Sequence, residues 1–150
     1  MPLVQVRGDV FAQPLPALGH GCNCAGSMGK GIAVDFKRRF PRMYLEYKAH
    51  CRDGRFQLGD VFVWETTEAV IYNLGTQAHW KTGAELWAIE SAVRAMLTDA
   101  EARALLIVGF PRIGAGLGGL AWPIVESALE SLAQPSPVEL RVFEYVPAPI

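Results

Sequence analysis

The sequence has few of the features that would assign it to a special class of protein. Its three cysteines are an odd number, and it shows no signal peptide and no apolar run of membrane length. These absences predict a protein of the reducing cytoplasm with no membrane partner. The net charge is only −1 and basic residues are spread along the chain, so bulk charge does not predict a nucleic-acid partner.

The chain also lacks internal repeats, linkers and low-complexity segments. Its 150 residues are the length of one domain, so we expect a single domain over residues 1–150 and a monomer. At this size a folded chain buries roughly 70% of the surface that its unfolded form exposes. Because 51% of the residues are hydrophobic, the composition predicts a globular domain with a well-formed core.

Two of the cysteines, Cys22 and Cys24, lie close to His20 and raise the question of a metal site. Their spacing is tighter than that of structural zinc pairs, and no second pair follows downstream. We therefore expect small buried residues at a strand end, with no metal and no cofactor. We expect His20 to be a hydrogen-bonded, partly buried side chain in preference to a catalytic base.

Apolar periodicity predicts an alternation of strands and helices. The predicted strands are residues 3–7, 17–22, 59–65, 69–74, 104–110 and 138–145. A loop is expected at residues 75–83, and the predicted helices are residues 29–40, 42–52, 84–98 and 123–133. Strands that alternate with helices predict a three-layer α/β/α domain with a mixed, mainly parallel central sheet.

Two glycine clusters each lie between a predicted strand and a predicted helix. We name them the first glycine loop (residues 22–31, CNCAGSMGKG) and the second glycine loop (residues 111–119, PRIGAGLGG). Glycine allows positive φ and a close approach of the backbone to a ligand, and a following helix offers free N–H groups to an anion. Two such loops at one sheet edge suit a diphosphate, while tight turns alone are the simpler alternative.

The second glycine loop contains Gly114, Gly116 and Gly119 in a G-x-G-x-x-G pattern. In a dinucleotide-binding fold this pattern follows the first strand, and an acidic residue ends the next strand. Here the pattern follows the penultimate predicted strand, and Glu139 begins the last one. A nicotinamide-dependent oxidoreductase is therefore the weaker alternative.

Four segments in order along the chain resemble the macrodomain fold: VRGDVF, CNCAGSMGKGIAVDFKRRFP, YNLGTQ and PRIGAGLGGLAW. They are similar above all to its ALC1-like branch, which includes the terminal ADP-ribose glycohydrolase and the macrodomain of the DarG antitoxin. The resemblance implies that the ligand is ADP-ribose. It implies an ADP-ribosylated protein as partner, with ADP-ribosylated DNA as a further alternative.

The resemblance also assigns site residues. Asp9, with the Val10 amide, would recognise the adenine amino group, although helix capping is the alternative for Asp9. Phe143 or Tyr145 would stack on adenine, and either ring could instead belong to the core.

The two glycine loops would hold the rest of the ligand. The first would contact the distal ribose and part of the diphosphate through Asn23, Ser27, Met28, Gly29, Gly31, Ile32 and Ala33. The second would bind the diphosphate through Pro111, Ile113, Gly114, Ala115, Gly116 and Leu117. Thr76 is likewise assigned to the ligand site.

The catalytic positions depart from those of some relatives. A lysine that follows the threonine in those relatives is replaced here by Gln77, which cannot form a Schiff base. An aspartate of the terminal glycohydrolase is replaced by Gly118, as it is in DarG-like members. Lys81, beside His79, could substitute if the loop folds inward, whereas an exposed loop lysine is otherwise solvated. Without a protein nucleophile, a water held between the diphosphate and the anomeric carbon would attack.

These features predict an ADP-ribosyl hydrolase. The leading hypothesis is cleavage of a carboxylate ester between the distal ribose and Glu or Asp of a modified protein, or of O-acyl-ADP-ribose. Removal of ADP-ribose from thymidine in DNA is a narrower version, against which the loss of the lysine at Gln77 weighs. A non-catalytic ADP-ribose reader is the alternative from another class of protein.

Overall fold

The computed structural model describes residues 1–146, and a six-stranded sheet runs through its centre. The strands are β1 (Val4–Arg7), β2 (Ala17–Asn23), β3 (Val61–Glu65), β4 (Val70–Gln77), β5 (Ile107–Pro111) and β6 (Glu139–Glu144). Their order across the sheet is β1-β6-β5-β2-β4-β3. Only β3 runs antiparallel to its neighbour β4, and the other pairs are parallel, so the predicted mixed, mainly parallel sheet is confirmed.

Helices cover both faces of this sheet. They are α1 (Ile32–Arg39), α2 (Pro41–Arg52), α3 (Leu86–Ala102) and α4 (Trp122–Ala133). Successive residues of β4 show the two faces: Ile71 packs with the buried side chains of α1 and α2, and Tyr72 packs with those of α3 and α4. This alternation follows from the period of two in a strand, and it confirms the three-layer α/β/α class.

The core is apolar because the central elements are buried over most of their surface. On α3, residues Ile89, Val93 and Met96 have no exposed surface, as the helical period of their spacing predicts. Val108 and Phe110 are likewise fully buried on β5, a strand that is covered on both faces. Within residues 1–146, no helix combines the length and the apolar character needed to cross a bilayer.

Three element boundaries differ from the prediction in ways that shape the sheet edge. The helix predicted from residue 29 begins at Ile32, because Gly31 adopts a φ of 62° and stands outside the helix. The strand predicted to end at Leu74 continues to Gln77, because β4 keeps pairing with β2 up to Asn23 opposite Gln77. Residues 75–77 of the predicted loop therefore belong to β4. The last strand ends at Glu144, one residue earlier than predicted.

The extension of β4 leads to a test of packing at Gly75. A Cβ at Gly75 would lie 2.7 Å from the Gln57 carbonyl oxygen, a backbone atom that cannot rotate away. We expect Gly75→Ala to lower the free energy of unfolding by about 1–3 kcal/mol, measured by urea denaturation. Gly19→Ala is the matched control, because its nearest neighbours would be 3.5 Å or more from the new Cβ. Equal stability of the two variants would contradict this packing.

Candidate functional site

A cavity of about 480 Å³ opens where β2, β4 and β5 end, between the two glycine loops. The structure brings most of the sequence-predicted site residues together around it. These are Asn23, Ser27, Gly29, Gly31, Ile32, Ala33, Thr76, Gln77, Pro111, Ile113, Gly114, Ala115 and Leu117. The two loops meet here because β2 pairs in parallel with both β4 and β5, so that all three strands end at the same edge.

Asn23 organises the first glycine loop from within. Its Nδ2 donates to the Ser27 carbonyl at 2.8 Å, and its Oδ1 accepts from the amides of Ala25 at 3.0 Å and Ser27 at 3.3 Å. The buried Tyr47 hydroxyl supports it from below, donating to the Asn23 carbonyl at 2.7 Å. Because the Asn23 side-chain amide bonds to the backbone of its own loop, Asn23 fixes the shape of this wall of the cavity.

The second glycine loop needs glycine for both conformation and space. Gly114 has a φ of 78°, and a Cβ there would lie only 2.5 Å from Ile89 Cδ1. At the tip of this loop the exposed Leu117 reaches the first loop, since its Cδ1 lies 3.2 Å from where a Cβ on Gly31 would stand. The two loops thus approach each other across the cavity.

The lining carries positive charge only. Its charged residues are Lys30 and Arg112, and the described lining includes no aspartate or glutamate. Arg112 pairs with Glu144 at 3.3 Å and lies over the Trp122 ring at 5.2 Å from its centre. The buried Arg112 Nε has no hydrogen-bond partner among residues 1–146.

Gln77 lies on β4 and holds the turn that follows it. Its Nε2 donates to the carbonyls of His79 at 3.1 Å and Thr82 at 2.9 Å. Two carbonyl acceptors fix the orientation of the amide, because only the NH₂ end can face them. The Oε1 lies 4.0 Å from where a Cβ on Gly118, another residue of the lining, would stand.

The same turn places Trp80, and not Lys81, in the lining. Lys81 is exposed, and its backbone amide donates to His79 Nδ1 at 3.2 Å. Lys81 does not line the cavity in this structure, and its catalytic role stays a prediction. Trp80 and Arg112 are lining residues that sequence reasoning missed. The signal for Trp80 was an aromatic residue in an otherwise polar loop.

Several residues predicted to bind adenine lie outside this cavity. Asp9 is exposed, and its Oδ1 accepts from the Phe11 amide at 2.9 Å, a bond that closes a local turn and caps no helix. Val10 is a core side chain, and Phe143 packs half-buried against the same cluster. Tyr145 is exposed and follows the end of β6. Adenine recognition by these residues stays a prediction.

Two members of the loops are also absent from the lining. Met28 is buried with the core side chains next to α1 and α2, because a large apolar side chain gains more there than at a polar rim. Gly116 is exposed and opens the short 3₁₀ turn Gly116–Gly118. Their contacts with the ligand stay a prediction.

Beneath the cavity lies a buried polar pair. His20 Nε2 donates to Asn73 Oδ1 at 2.7 Å, and the imidazole stacks on Phe36 with ring centres 3.9 Å apart. Burial lowers the pKa of His20 to about 4, against its hydrogen bond to Asn73, and raises the pKa of Cys22 well above its usual value. His20 is fully buried where partial burial was expected, so it is a neutral structural group.

The cysteines do not form a metal cluster with it. Cys22 Sγ lies 3.5 Å from His20 Nε2, and burial raises the pKa of Cys24 to about 12. Across residues 1–146, no three histidine, cysteine, aspartate or glutamate side chains are arranged to hold a metal ion. The expectation of small buried residues at a strand end agrees with the burial of Cys22.

The structure is a three-layer α/β domain with a cavity at the carboxyl edge of its parallel strands. The family model "Macro domain" matches residues 20–129. The chain belongs to the Macro domain family. It is 34% identical over 149 residues to a DNA ADP-ribosyl glycohydrolase from Thermus aquaticus, covering 96% of this chain and 41% of that protein. The chain therefore spans about two fifths of the length of this relative.

Two further similarities bear on the fold and on function. The macrodomain of Mycobacterium tuberculosis DarG superposes with a TM-score of 0.88 at 32% identity, covering 97% of this chain and 98% of that one. An ADP-ribose 1''-phosphate phosphatase from Candida albicans is 30% identical over 140 residues, covering 83% of this chain and 90% of that protein. The predicted resemblance to macrodomains, and to the DarG macrodomain among them, is confirmed.

The buried histidine yields a pH prediction. The pKa of His20 is about 4 in the folded chain, while an unfolded histidine titrates near 6.5. As the pH falls, His20 therefore takes up a proton in the unfolded state before it does so in the folded state. Its contribution to the free energy of unfolding is fully present above pH 6.5 and is lost as the pH falls toward 4. The loss attributable to His20 amounts to about 3 kcal/mol over that window.

Urea unfolding of the wild type and of His20→Gln at pH 7, 6 and 5 measures this contribution. Because the glutamine does not titrate, we expect the wild type to lose more stability than the variant between pH 7 and 5. Parallel pH profiles for the two proteins would show that His20 is not buried as a neutral group.

Proposed function

We propose that this macrodomain binds ADP-ribose in the cavity between its glycine loops and hydrolyses the bond between the distal ribose and a nucleobase of DNA. The observation that carries the proposal is the cavity itself, which is flanked by two glycine loops and lined by positive charge alone. The relatives named above support an ADP-ribosyl hydrolase, and the finer assignment to the ALC1-like branch is part of the proposal.

The diphosphate fits between the loops for three physical reasons. Gly31 and the first residues of α1 line the cavity, and no side chain caps this helix N-terminus, so its free N–H groups suit an anion. Lys30 contributes a positive charge from the first loop. Arg112 contributes a positive charge from the second loop.

The chemistry that fits this lining is attack by water. Neither a carboxylate nor Lys81 is in the described lining, and the amide of Gln77 is not a nucleophile. An aspartate at position 118 would be crowded, because a Cβ there would stand 3.0 Å from Ala84 Cβ. Gln77 lines the cavity and its amide orientation is fixed, so we assign Oε1 the role of accepting a hydrogen bond from the attacking water.

The proposed step is a single displacement at the anomeric carbon of the distal ribose. The water oxygen forms a bond to that carbon, the bond from the carbon to the base nitrogen breaks, and one proton of the water passes to the leaving nitrogen. The loop N–H groups and Arg112 hold the diphosphate, which fixes the sugar relative to the water.

The acceptor is the finer part of the proposal. A DNA base is favoured because the Thermus aquaticus relative, similar over 96% of this chain, is named for action on DNA. A glutamate or aspartate ester on protein, O-acyl-ADP-ribose, and the 1''-phosphate named in the Candida albicans relative are the competing substrates. A reader that binds without turnover is the competing non-catalytic function.

The binding proposal predicts an effect of Arg112. We expect calorimetric titration to show ADP-ribose binding by the wild type, and Arg112→Ala to weaken it about ten- to a hundredfold, because a charge-assisted hydrogen bond is lost. Arg94→Ala, on the exposed face of α3, is the matched control and should bind normally. No detectable binding by the wild type, or equal preference for NAD, would overturn the proposal.

The hydrolysis proposal predicts an effect of Gln77. With an oligonucleotide carrying ADP-ribose on thymidine as substrate, we expect release of free ADP-ribose, slowed about ten- to a thousandfold in Gln77→Ala because the water loses its acceptor. Lys81→Ala should keep the wild-type rate, since its side chain is outside the lining.

Parallel assays on a glutamate-ADP-ribosylated protein and on ADP-ribose 1''-phosphate complete the comparison. Turnover of either one without turnover of the DNA substrate reassigns the acceptor. Binding without turnover of any of these substrates identifies a reader. A slow Lys81→Ala variant with a normal Gln77→Ala variant would restore the lysine as the catalytic group.

A further inference from the structure

The Trp80 indole is a large apolar surface that the proposed binding of ADP-ribose does not use. It lines the cavity, yet 49% of the residue remains exposed to solvent. Exposed aromatic rings beside a ligand cavity are common contact surfaces for a partner molecule, because their burial on binding is favourable. Trp87 is exposed to a similar degree, but it lies on α3 and not in the cavity lining.

The indole is held in place before any ligand arrives. The turn that carries it is closed by the Thr82 amide, which donates to the His79 carbonyl at 3.1 Å, and by the two bonds from Gln77 Nε2. The His79 imidazole stacks on the indole with ring centres 3.6 Å apart and planes inclined by 30°. A side chain fixed in this way loses little conformational entropy when it binds a partner.

The sheet order indicates which end of ADP-ribose lies nearest Trp80. The adenine candidates Asp9 and Phe143 belong to the β1 and β6 side of the edge, and the glycine loops follow β5 and β2. Trp80 follows β4, which is three strand positions from β6, or roughly 14 Å at the usual spacing of strands. A ligand with adenine at β6 and its diphosphate between the loops directs its distal ribose toward β4.

We propose that Trp80, backed by His79, is the subsite that stacks on the nucleobase carrying the ADP-ribose. This inference rests on the proposed function and on the predicted placement of adenine near Asp9 and Phe143. A nucleobase presents a flat π-face that an indole can cover, whereas an aliphatic glutamate or aspartate chain presents none. Lys30 in the lining supplies a positive charge that suits the phosphates of a DNA strand.

Three variants test this subsite: Trp80→Ala, Trp80→Phe and the matched control Trp87→Ala. The ligands are ADP-ribose, a single-stranded oligonucleotide carrying ADP-ribose on thymidine, and a glutamate-ADP-ribosylated peptide. Calorimetry gives the Kd for ADP-ribose. Fluorescence anisotropy gives the Kd for the labelled oligonucleotide and peptide, and ADP-ribose release gives kcat/KM wherever turnover occurs.

We expect Trp80→Ala to weaken oligonucleotide binding, or to lower its kcat/KM, about 5- to 100-fold, which is the range for loss of one stacked base. The Kd for ADP-ribose should stay within about twofold, and the peptide should be equally unaffected. Trp80→Phe should recover part of the loss, since a smaller ring keeps part of the stacking area. Trp87→Ala should behave as the wild type with all three ligands.

The outcomes separate this subsite from the proposed function. Trp80-dependent binding of the modified oligonucleotide without any release of ADP-ribose would contradict the proposed hydrolysis and support the stacking subsite. Equal losses for ADP-ribose and the oligonucleotide would place the ring in the ADP-ribose site and overturn the inference. It is also overturned if the peptide is affected as strongly as the oligonucleotide, or if Trp80→Ala binds all three ligands normally.

Discussion

The pairing of β2 with β4 on one side and with β5 on the other is the constraint on which the rest of the site depends. Because all three strands run in parallel, the loops that leave β2 and β5 emerge at one edge, and the end of β4 stands beside them. The register places Asn23 opposite Gln77, so the residue that shapes the first glycine loop and the residue that holds the following turn are neighbours. A slip of this register would separate the walls of the cavity.

The interior beneath that edge combines rigidity with a fixed protonation state. His20, Asn73 and Tyr47 are fully buried, and the polar atoms of each have hydrogen-bond partners. Satisfied buried polar groups specify one arrangement, because any other leaves a donor or acceptor without a partner. The loop above therefore rests on neutral groups, and the positive charge of the site comes from its rim, from Lys30 and Arg112.

Much of the fold could be predicted because it follows from local pattern. The apolar run of β5, the helical spacing of α3 and the two glycine loops each depend on a few adjacent residues. The extension of β4 to Gln77 could not, because it comes from pairing with β2, which is distant in sequence. The glycine loops were predicted as lining. Trp80 was missed, because a short turn held by Gln77 brings it, and not Lys81, to the cavity.

The two hydrogen bonds from Gln77 to the turn also bear on how this family can diverge. A lysine amine at position 77 that reached the sugar would no longer hold the carbonyls of His79 and Thr82, and one that held them would not be free to react. We therefore expect a change at position 77 to alter the placement of Trp80 as well, because the turn that carries Trp80 is bonded to Gln77. In a chimaera with a lysine-bearing relative, we expect residues 77–82 to need transfer as one block. A single exchange at 77 would introduce an amine but would remove the two hydrogen bonds that shape the turn.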